Sequence, residues 1–391
     1  MLVLLIISCS LDSSLELAKL QGNLEAHRER YHMFNDFDHV VLLTQDVQDF
    51  SNELGGITHV PCAHSRFKTV EKAVTLFKFL RWIRFSHLSF VWLLRNRAEI
   101  YLVLSENVDS PTPFLFSSLF RIPYYIHYHY DVATQVGKTN KHGFEGILLL
   151  FLEKLCFKRA TCVWVTAKNL SEKVKSYGAK KVTFMPNWVD LTATPKVRKD
   201  SAESKNRILF VGRLNPVKRV DLLLKAFARL RRVCPNVTLS VVGDGVERKN
   251  LVALANKLEL GNAVKFLGFQ NHNKVISIMK DSDLFVLSSK IEGNPRVLIE
   301  AMSVKLPLVA TDVTGIRDMV HNGETGHLVR SSPEDLAIGM EYVLKHNEYA
   351  LRITENAYQF AQEHFSRARA VEKIRTDFGN NVSRYRNKFV Q

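Results

Sequence analysis

Short apolar runs bounded by turns recur along this chain, each followed by sequence with helical spacing, and that alternation restricts the fold more than any other feature. In the second half the runs fall at Ile208 to Val211, Thr238 to Val242, Val264 to Leu267, Asp283 to Leu287 and Leu306 to Ala310. Helices are expected to begin near Val217, Glu247, Asn273, Pro295 and Ile316, with further helices over Pro333 to His346, Tyr349 to Phe365 and Arg367 to Gln391. Continuous apolar runs suit strands covered on both faces, and strands alternating with helices make parallel βαβ units. The first half repeats the pattern with Leu2 to Ser8, Val40 to Thr44, Ile100 to Leu104, Tyr124 to His127, Thr161 to Val165 and Lys180 to Pro186, and with helical spacing over Leu15 to Met33. The expected class is α/β: two Rossmann-like doubly wound parallel-sheet domains facing across a cleft. The first occupies 1–190, a polar proline-bearing linker 191–205, and the second 206–365, while 366–391 is a helical segment expected to pack back toward the first domain.

At 391 residues the chain is long enough for two or three separate cores, and 46% hydrophobic with 24% charged residues excludes disorder and fibrous repeats. Lys and Arg outnumber Asp and Glu by 54 to 39, leaving +15, which points to anionic substrates, an anionic membrane face or nucleic acid. The charge is diffuse and no nucleic-acid module is recognisable, so a nucleic-acid-binding protein ranks far behind an enzyme. The five cysteines are few, odd in number and without CxxC spacing, which argues for a reducing compartment and against a structural metal. The opening MLVLLIIS lacks a basic flank and a cleavage site and is too short to span a bilayer, so it reads as a first strand. From Arg66 to Arg97, eight Arg and Lys against one acid, Glu71, are interleaved with Phe67, Phe77, Phe79, Trp82, Phe85, Phe90 and Trp92. Such a helix either touches an anionic membrane surface or packs its apolar face on the sheet and solvates its basic side.

The richest chemistry lies where the Asp283 to Leu287 strand hands over to a helix. Ser288 to Asn294 is a turn, and Pro295 suits the first helical position, where its missing N–H costs nothing. A helix start beside the carboxyl end of a parallel strand is where open α/β sheets hold phosphate-bearing ligands. Glu292 and Glu300 bracket this start, and eight residues of helix would separate them by up to ~12 Å. That is too far for a glycosidase pair, whose carboxylates stand ~5 to 9.5 Å apart, so they should grip opposite ends of one ligand. Arg213 and Lys218 follow the Ile208 strand at a helix start, where the dipole disfavours cations, and a placement against the dipole suggests function. Gly243-Asp244-Gly245 permits a tight turn after its strand, and Gly268 and Phe269 end the next one. No zinc cluster, P-loop or nucleophile elbow is present.

The second half resembles the nucleotide-sugar-binding domain of glycosyltransferase family 4, retaining enzymes of the GT-B fold. The resemblance lies in FVGRLNPVKRVDLLLKAF (Phe210 to Phe227), VVGDGVERKNL (Val241 to Leu251), VKFLGF (Val264 to Phe269), EGNPRVLIEAMSVKLPLVATDVTGIRDMV (Glu292 to Val320) and NGETGHLV (Asn322 to Val329). MPNWVD (Met185 to Asp190) resembles a Pro-Asn-x-Val-Asp segment of that family, and YIHYHYDV (Tyr125 to Val132) its His-x-Asp segment. The resemblance implies a nucleoside-diphosphate sugar, UDP- or GDP-linked, as donor substrate, no tightly bound cofactor and no metal. It assigns Arg213 and Lys218 to the diphosphate, Glu300 to the ribose hydroxyls and Glu292 to the transferred sugar; the turn Gly293, Asn294, Pro295, Arg296 and Val297 at the helix start adds backbone N–H donors for the donor's phosphate end, from each residue but Pro295, which has none. Gly243, Asp244, Gly268 and Phe269 then line the donor, with the nucleobase near Phe269, while His129, beside Asp131, serves the sugar or the acceptor from the acceptor-side first domain. One departure stands out: SCSLDSS (Ser8 to Ser14) replaces the family's Gly-Gly loop. The implied activity is retaining transfer of a sugar to a lipid-linked or polysaccharide acceptor in cell-surface glycan synthesis, by a cytoplasmic protein peripheral to the membrane. A GT-B sugar-nucleotide epimerase is the alternative on the same fold.

Overall fold

The computed structural model describes residues 3–8, 39–44, 57–61, 75–97, 100–106, 108, 111–129, 144–189, 191 and 206–389. The expected helix at Leu15 to Met33, most of the loop SCSLDSS, residues 66–74, Asp131 and linker residues 192–205 lie outside them. The chain divides into two compact units, Met1–Met185 with Ala370–Gln391, and Pro186–Arg369.

Unit 1 is built on seven parallel strands: β1 (Val3–Ser8), β2 (His39–Thr44), β3 (Thr58–Pro61), β4 (Ile100–Glu106), β5 (Tyr124–Tyr128), β6 (Cys162–Val165) and β7 (Val182–Phe184). Their order is β3-β2-β1-β4-β5-β6-β7. Helices α1 (Thr75–Arg95), α2 (Thr112–Phe120), α3 (Phe144–Arg159) and α4 (Lys168–Ser176) lie in crossovers that all step in one direction along the sheet. Because such crossovers are right-handed, these four helices cover one face. Phe85 and Leu93 of α1 are buried in the core, with Phe90 and Trp92 packed against it. These aromatics of the basic helix therefore serve the fold.

Two buried polar groups in unit 1 are fully engaged. Glu153 of α3 accepts from Tyr128 Oη at 2.8 Å and pairs with Lys173 at 3.3 Å. The last helix, α11 (Arg367–Phe389), places Asp377 against the sheet, where it accepts from Trp164 Nε1 at 2.7 Å and pairs with Lys181. Cys156 and Cys162 are buried, and loss of solvent pushes their thiols up to about 12 and about 11.

Unit 2 carries six parallel strands, β8 (Arg207–Val211), β9 (Thr238–Val242), β10 (Val264–Gly268), β11 (Leu284–Leu287), β12 (Leu308–Thr311) and β13 (His327–Val329). The order β10-β9-β8-β11-β12-β13 is the doubly wound pattern, with its reversal between β8 and β11. Helices α5 (Val220–Val233), α6 (Arg248–Lys257), α7 (His272–Asp281), α8 (Arg296–Ser303), α9 (Pro333–Lys345) and α10 (Asn347–Phe365) flank it. Burial of all four residues in each of β11 and β12 explains why these runs read as apolar without alternation.

Two sequence expectations are corrected here. No helix begins at Ile316: residues 314–319 form turns, closed by bonds such as Met319 N to Ile316 O at 2.9 Å. Ile316, Met319 and Val320 are buried, so the spacing is helical over a single turn, which Asn322-Gly323 does not continue. Pro295 stands one position before the helix, as an extended N-cap at φ −72°, ψ 110°, and Arg296 is the first helical residue. The carbonyl of Asn294 is held by Asn187 Nδ2 at 2.6 Å, which keeps this corner out of the helix.

Candidate functional site

The strand order reverses between β8 and β11, the place where open α/β sheets bind ligands beyond the carboxyl ends of the strands, and the loops leaving these two strands carry Lys218 and Glu292. Lys218 ends a short 3-10 turn, Pro216–Lys218, capped by Asn215, whose side chain accepts from Lys218 N at 3.2 Å. Across the reversal Lys218 Nζ meets Glu292 Oε1 at 2.5 Å, with both side chains largely buried. Ser289 Oγ donates to the same oxygen at 2.5 Å. The two loops are also joined through the backbone, since Lys290 N donates to Val217 O at 2.8 Å and Ser288 Oγ to Lys218 O at 2.9 Å. Thr311 Oγ1 at the end of β12 donates to Ser289 O at 2.6 Å, which fixes the loop from its other side.

The Glu292 corner depends on one glycine. Gly315 has φ +86°, and a Cβ there would come within 2.1 Å of the Glu292 carbonyl oxygen. Only a residue without Cβ lets the loop after β12 pass so close. Gly243, at φ +127°, plays the same part on the other side of β8, where a Cβ would meet Gly212 O at 2.0 Å. Its N–H donates to Gly268 O at 2.8 Å, while Asp244 O accepts from Leu214 N at 2.8 Å. The ends of β8, β9 and β10 are thus tied into one floor, with Arg213 standing on it. Arg213 is exposed and, among the described residues, its guanidinium makes no ion pair or side-chain hydrogen bond.

Asn294 is buried, and its side-chain oxygen accepts from Asn187 N at 2.8 Å. It hands over through Pro295 to Arg296 and Val297, the first turn of α8, whose N–H groups have no partner within the helix. Gly293 is exposed on the loop before them. Glu300, one further turn along α8, faces His272 at 3.7 Å. His272 opens α7, three residues beyond Phe269, so Glu300 addresses the β10 loop while Glu292 addresses the β8 loop. The two carboxylates consequently serve different ends of the floor. Phe269, just past β10, is half exposed. Among the described residues no three His, Cys, Asp or Glu stand together as a metal site, and no helix is long and apolar enough to cross a membrane.

His129 belongs to unit 1, just past the carboxyl end of β5. Its ring lies 4.0 Å from that of His127, and its backbone oxygen accepts from Thr166 Oγ1 at 3.1 Å.

Sequence reasoning did not single out Ser289, Thr311, Asn187, His272 or Gly315. Asn187 sits in the quoted MPNWVD segment and Gly315 in the Glu292 to Val320 segment, but the partner that gives each its role lies elsewhere in the chain. His272 carries one local signal, the Asn271 cap that starts α7 at the mouth of the site.

Residues 193–360 match the family described as glycosyl transferases group 1. Over 160 residues the chain is 31% identical to glycogen synthase of Mycobacterium tuberculosis, covering 41% of this chain and 38% of that protein. Over 241 residues it is 30% identical to the N-acetylgalactosamine-N,N'-diacetylbacillosaminyl-diphospho-undecaprenol 4-alpha-N-acetylgalactosaminyltransferase of Campylobacter jejuni, covering 60% and 63%. The chain thus spans less than two thirds of the length of these relatives. Among solved structures, Anabaena HepE in complex with UDP and glucose superposes with a TM-score of 0.72 at 19% identity, covering 96% of this chain and 99% of that one. The fold is therefore GT-B, and residues 193–360 are similar to the family described as glycosyl transferases group 1.

Proposed function

We propose that the protein is a retaining glycosyltransferase that moves a sugar from a UDP- or GDP-sugar to a lipid-linked or polysaccharide acceptor, at the cytoplasmic face of a membrane. The observation that carries this reading is the Lys218–Glu292 pair across the strand-order reversal, with Arg213 beside it. Transfer breaks the bond between the anomeric carbon and a diphosphate, so negative charge grows on the leaving group and positive charge on the sugar ring. Lys218, Arg213 and the first N–H groups of α8 supply the countercharge for the diphosphate. Glu292 then faces the sugar, oriented by Ser289, and Glu300 accepts hydrogen bonds from the ribose. Phe269 offers a face to the nucleobase, Gly243 and Gly268 bring the backbone close to the donor beside Asp244, and His129 of unit 1 serves the sugar or the acceptor. Retention is supported by the resemblance of residues 207–330 to retaining family members, and a lipid-linked acceptor by the name of the Campylobacter relative.

The test is sugar transfer by Glu292→Gln and Arg213→Ala. Loss of one group that stabilises transition-state charge typically costs ~10² to 10³ in turnover, and this is the expected fall for each variant. Unchanged rates would remove the site assignment, and isomerised donor in the absence of acceptor would replace transfer with epimerisation.

A further inference from the structure

The α1–α3 layer of unit 1 carries an apolar and basic outer surface that the donor site does not use. Helix α2 buries Thr112, Pro113, Phe116 and Ser117 and turns Leu115 and Leu119 outward, 48% and 63% exposed. Helix α3 buries Leu152, Cys156 and Phe157 and turns Phe151 outward, 59% exposed, with Leu150 beside it. The end of α1 adds Leu94. Helix α1 packs on α2 and α2 on α3, so these side chains share one layer. Its cohesion is visible in Arg159 Nη2 donating to Ser117 O at 2.6 Å and in Arg97 lying over the Phe120 ring at 5.2 Å.

Exposed leucines are ordinary one at a time, but several on adjoining helices mark a contact surface. Charge identifies the partner. Among the described side chains of residues 85–97, 111–121 and 150–159 the bases are Arg95, Arg97, Arg121, Lys154, Lys158 and Arg159, against one acid, Glu153. Glu153 is buried and already paired. Arg95, Arg97, Arg121, Lys154 and Lys158 are exposed at the ends and flanks of the apolar residues. A second copy of so basic a face would be repelled, whereas an anionic lipid surface satisfies both features. Its headgroups take the cations, and its hydrocarbon boundary takes leucine and phenylalanine.

We infer that the outer face of α2 and α3, with the end of α1, docks unit 1 on an anionic bilayer, inserting Leu115, Leu119 and Phe151 among the headgroups. The proposal takes its purpose from the lipid-linked acceptor of the preceding reading, but its geometry stands apart from the donor site. It also shifts the expected membrane contact from the aromatics of the Arg66 to Arg97 stretch, of which Phe85, Phe90 and Trp92 pack on the core, to the two helices beside it.

The experiment is co-sedimentation of the full chain with phosphatidylserine-containing vesicles and with pure phosphatidylcholine vesicles, in low and high salt. Binding to the anionic vesicles is expected, largely reversed by salt. Arg95→Gln with Lys158→Gln should weaken it about twenty- to thirtyfold, since each cation near such a surface contributes about fivefold. Leu119→Ser with Phe151→Ser should abolish the part that resists salt. Both pairs are exposed, so the melting temperature should stay at the wild-type value, which separates lost docking from lost folding. Equal binding of wild type and both variants overturns the proposal, as does equal affinity for the two lipids. So does a solution dimer that Leu119→Ser turns into a monomer, because the occupant is then a second copy. The rise in melting temperature with UDP or GDP, read on the same samples, tests the donor site alone.

Discussion

Lys218 Nζ and Glu292 Oε1 stand 2.5 Å apart across the strand-order reversal of unit 2, joining the β8 loop to the β11 loop at the place where a doubly wound sheet opens toward a ligand. An ammonium bonded to one carboxylate oxygen keeps two N–H donors for an anion. Lysine has three donors, and the exposed Arg213 guanidinium stands on the same β8 loop.

Glu300 is expected to fix the ribose. Its side chain is mostly buried on the second turn of α8, with the His272 ring nitrogen Nδ1 at 3.7 Å. Hydrogen bonds to a charged acceptor contribute ~1.5 to 3 kcal/mol, so Glu300→Ala should weaken nucleoside diphosphate binding about 10- to 150-fold by calorimetry. The wild type should also prefer ribonucleotides to 2′- and 3′-deoxy analogues. Equal affinity for all of these would refute the ribose contact.

Gly315→Ala should cripple the site without touching any ligand group. The added methyl would meet the Glu292 carbonyl oxygen at 2.1 Å, and φ +86° alone costs a non-glycine residue ~1 to 3 kcal/mol. The expected outcome is a lower melting temperature together with a loss of transfer beyond what the unfolded fraction explains. A Gly323→Ala control, at φ +77° with open space around it, should lower stability but leave the rate per folded molecule unchanged.

Stability of unit 2 should narrow at both ends of the pH scale through one hydrogen-bonded pair. His327 Nδ1 lies 2.9 Å from Tyr349 Oη. Burial lowers the His327 pKa from 6.5, so the unfolded chain takes up this proton first, and stability present above pH 6.5 is lost as pH falls below it. Burial raises the Tyr349 pKa from 10.0, so stability present below pH 10.0 is lost as pH rises past it. Urea midpoints against pH should show both slopes, with His327→Gln flattening the acid limb and Tyr349→Phe the alkaline limb. Unaltered limbs in these variants would assign the dependence to other groups.

Much of this architecture was legible in the chain itself. The runs at Ile208, Thr238 and Val264 match β8, β9 and β10 to within a residue at either end, and the three central residues of β8 are buried, as a parallel strand covered on both faces requires. Strand β13 is three residues long and only partly buried, too short to register as a run. The apparent helix at Ile316 failed because burial at i, i+3 and i+4 over a single turn does not distinguish a helix from consecutive turns. Glu292, Lys218 and Glu300 were legible as candidates from strand-to-helix position, but their partners were not. Asn187 and Asn294 are 107 positions apart, and nothing local in either predicts that they hold each other.

Donor binding is the central claim, and its most direct measurement is the melting temperature of the full chain with UDP and with GDP. A nucleotide present at a hundred times its Kd should stabilise the fold by ~2.7 kcal/mol, so at least one of the two should raise the melting temperature clearly. The rise should vanish in Arg213→Ala with Lys218→Ala. A wild-type melting temperature that neither nucleotide moves would contradict the account.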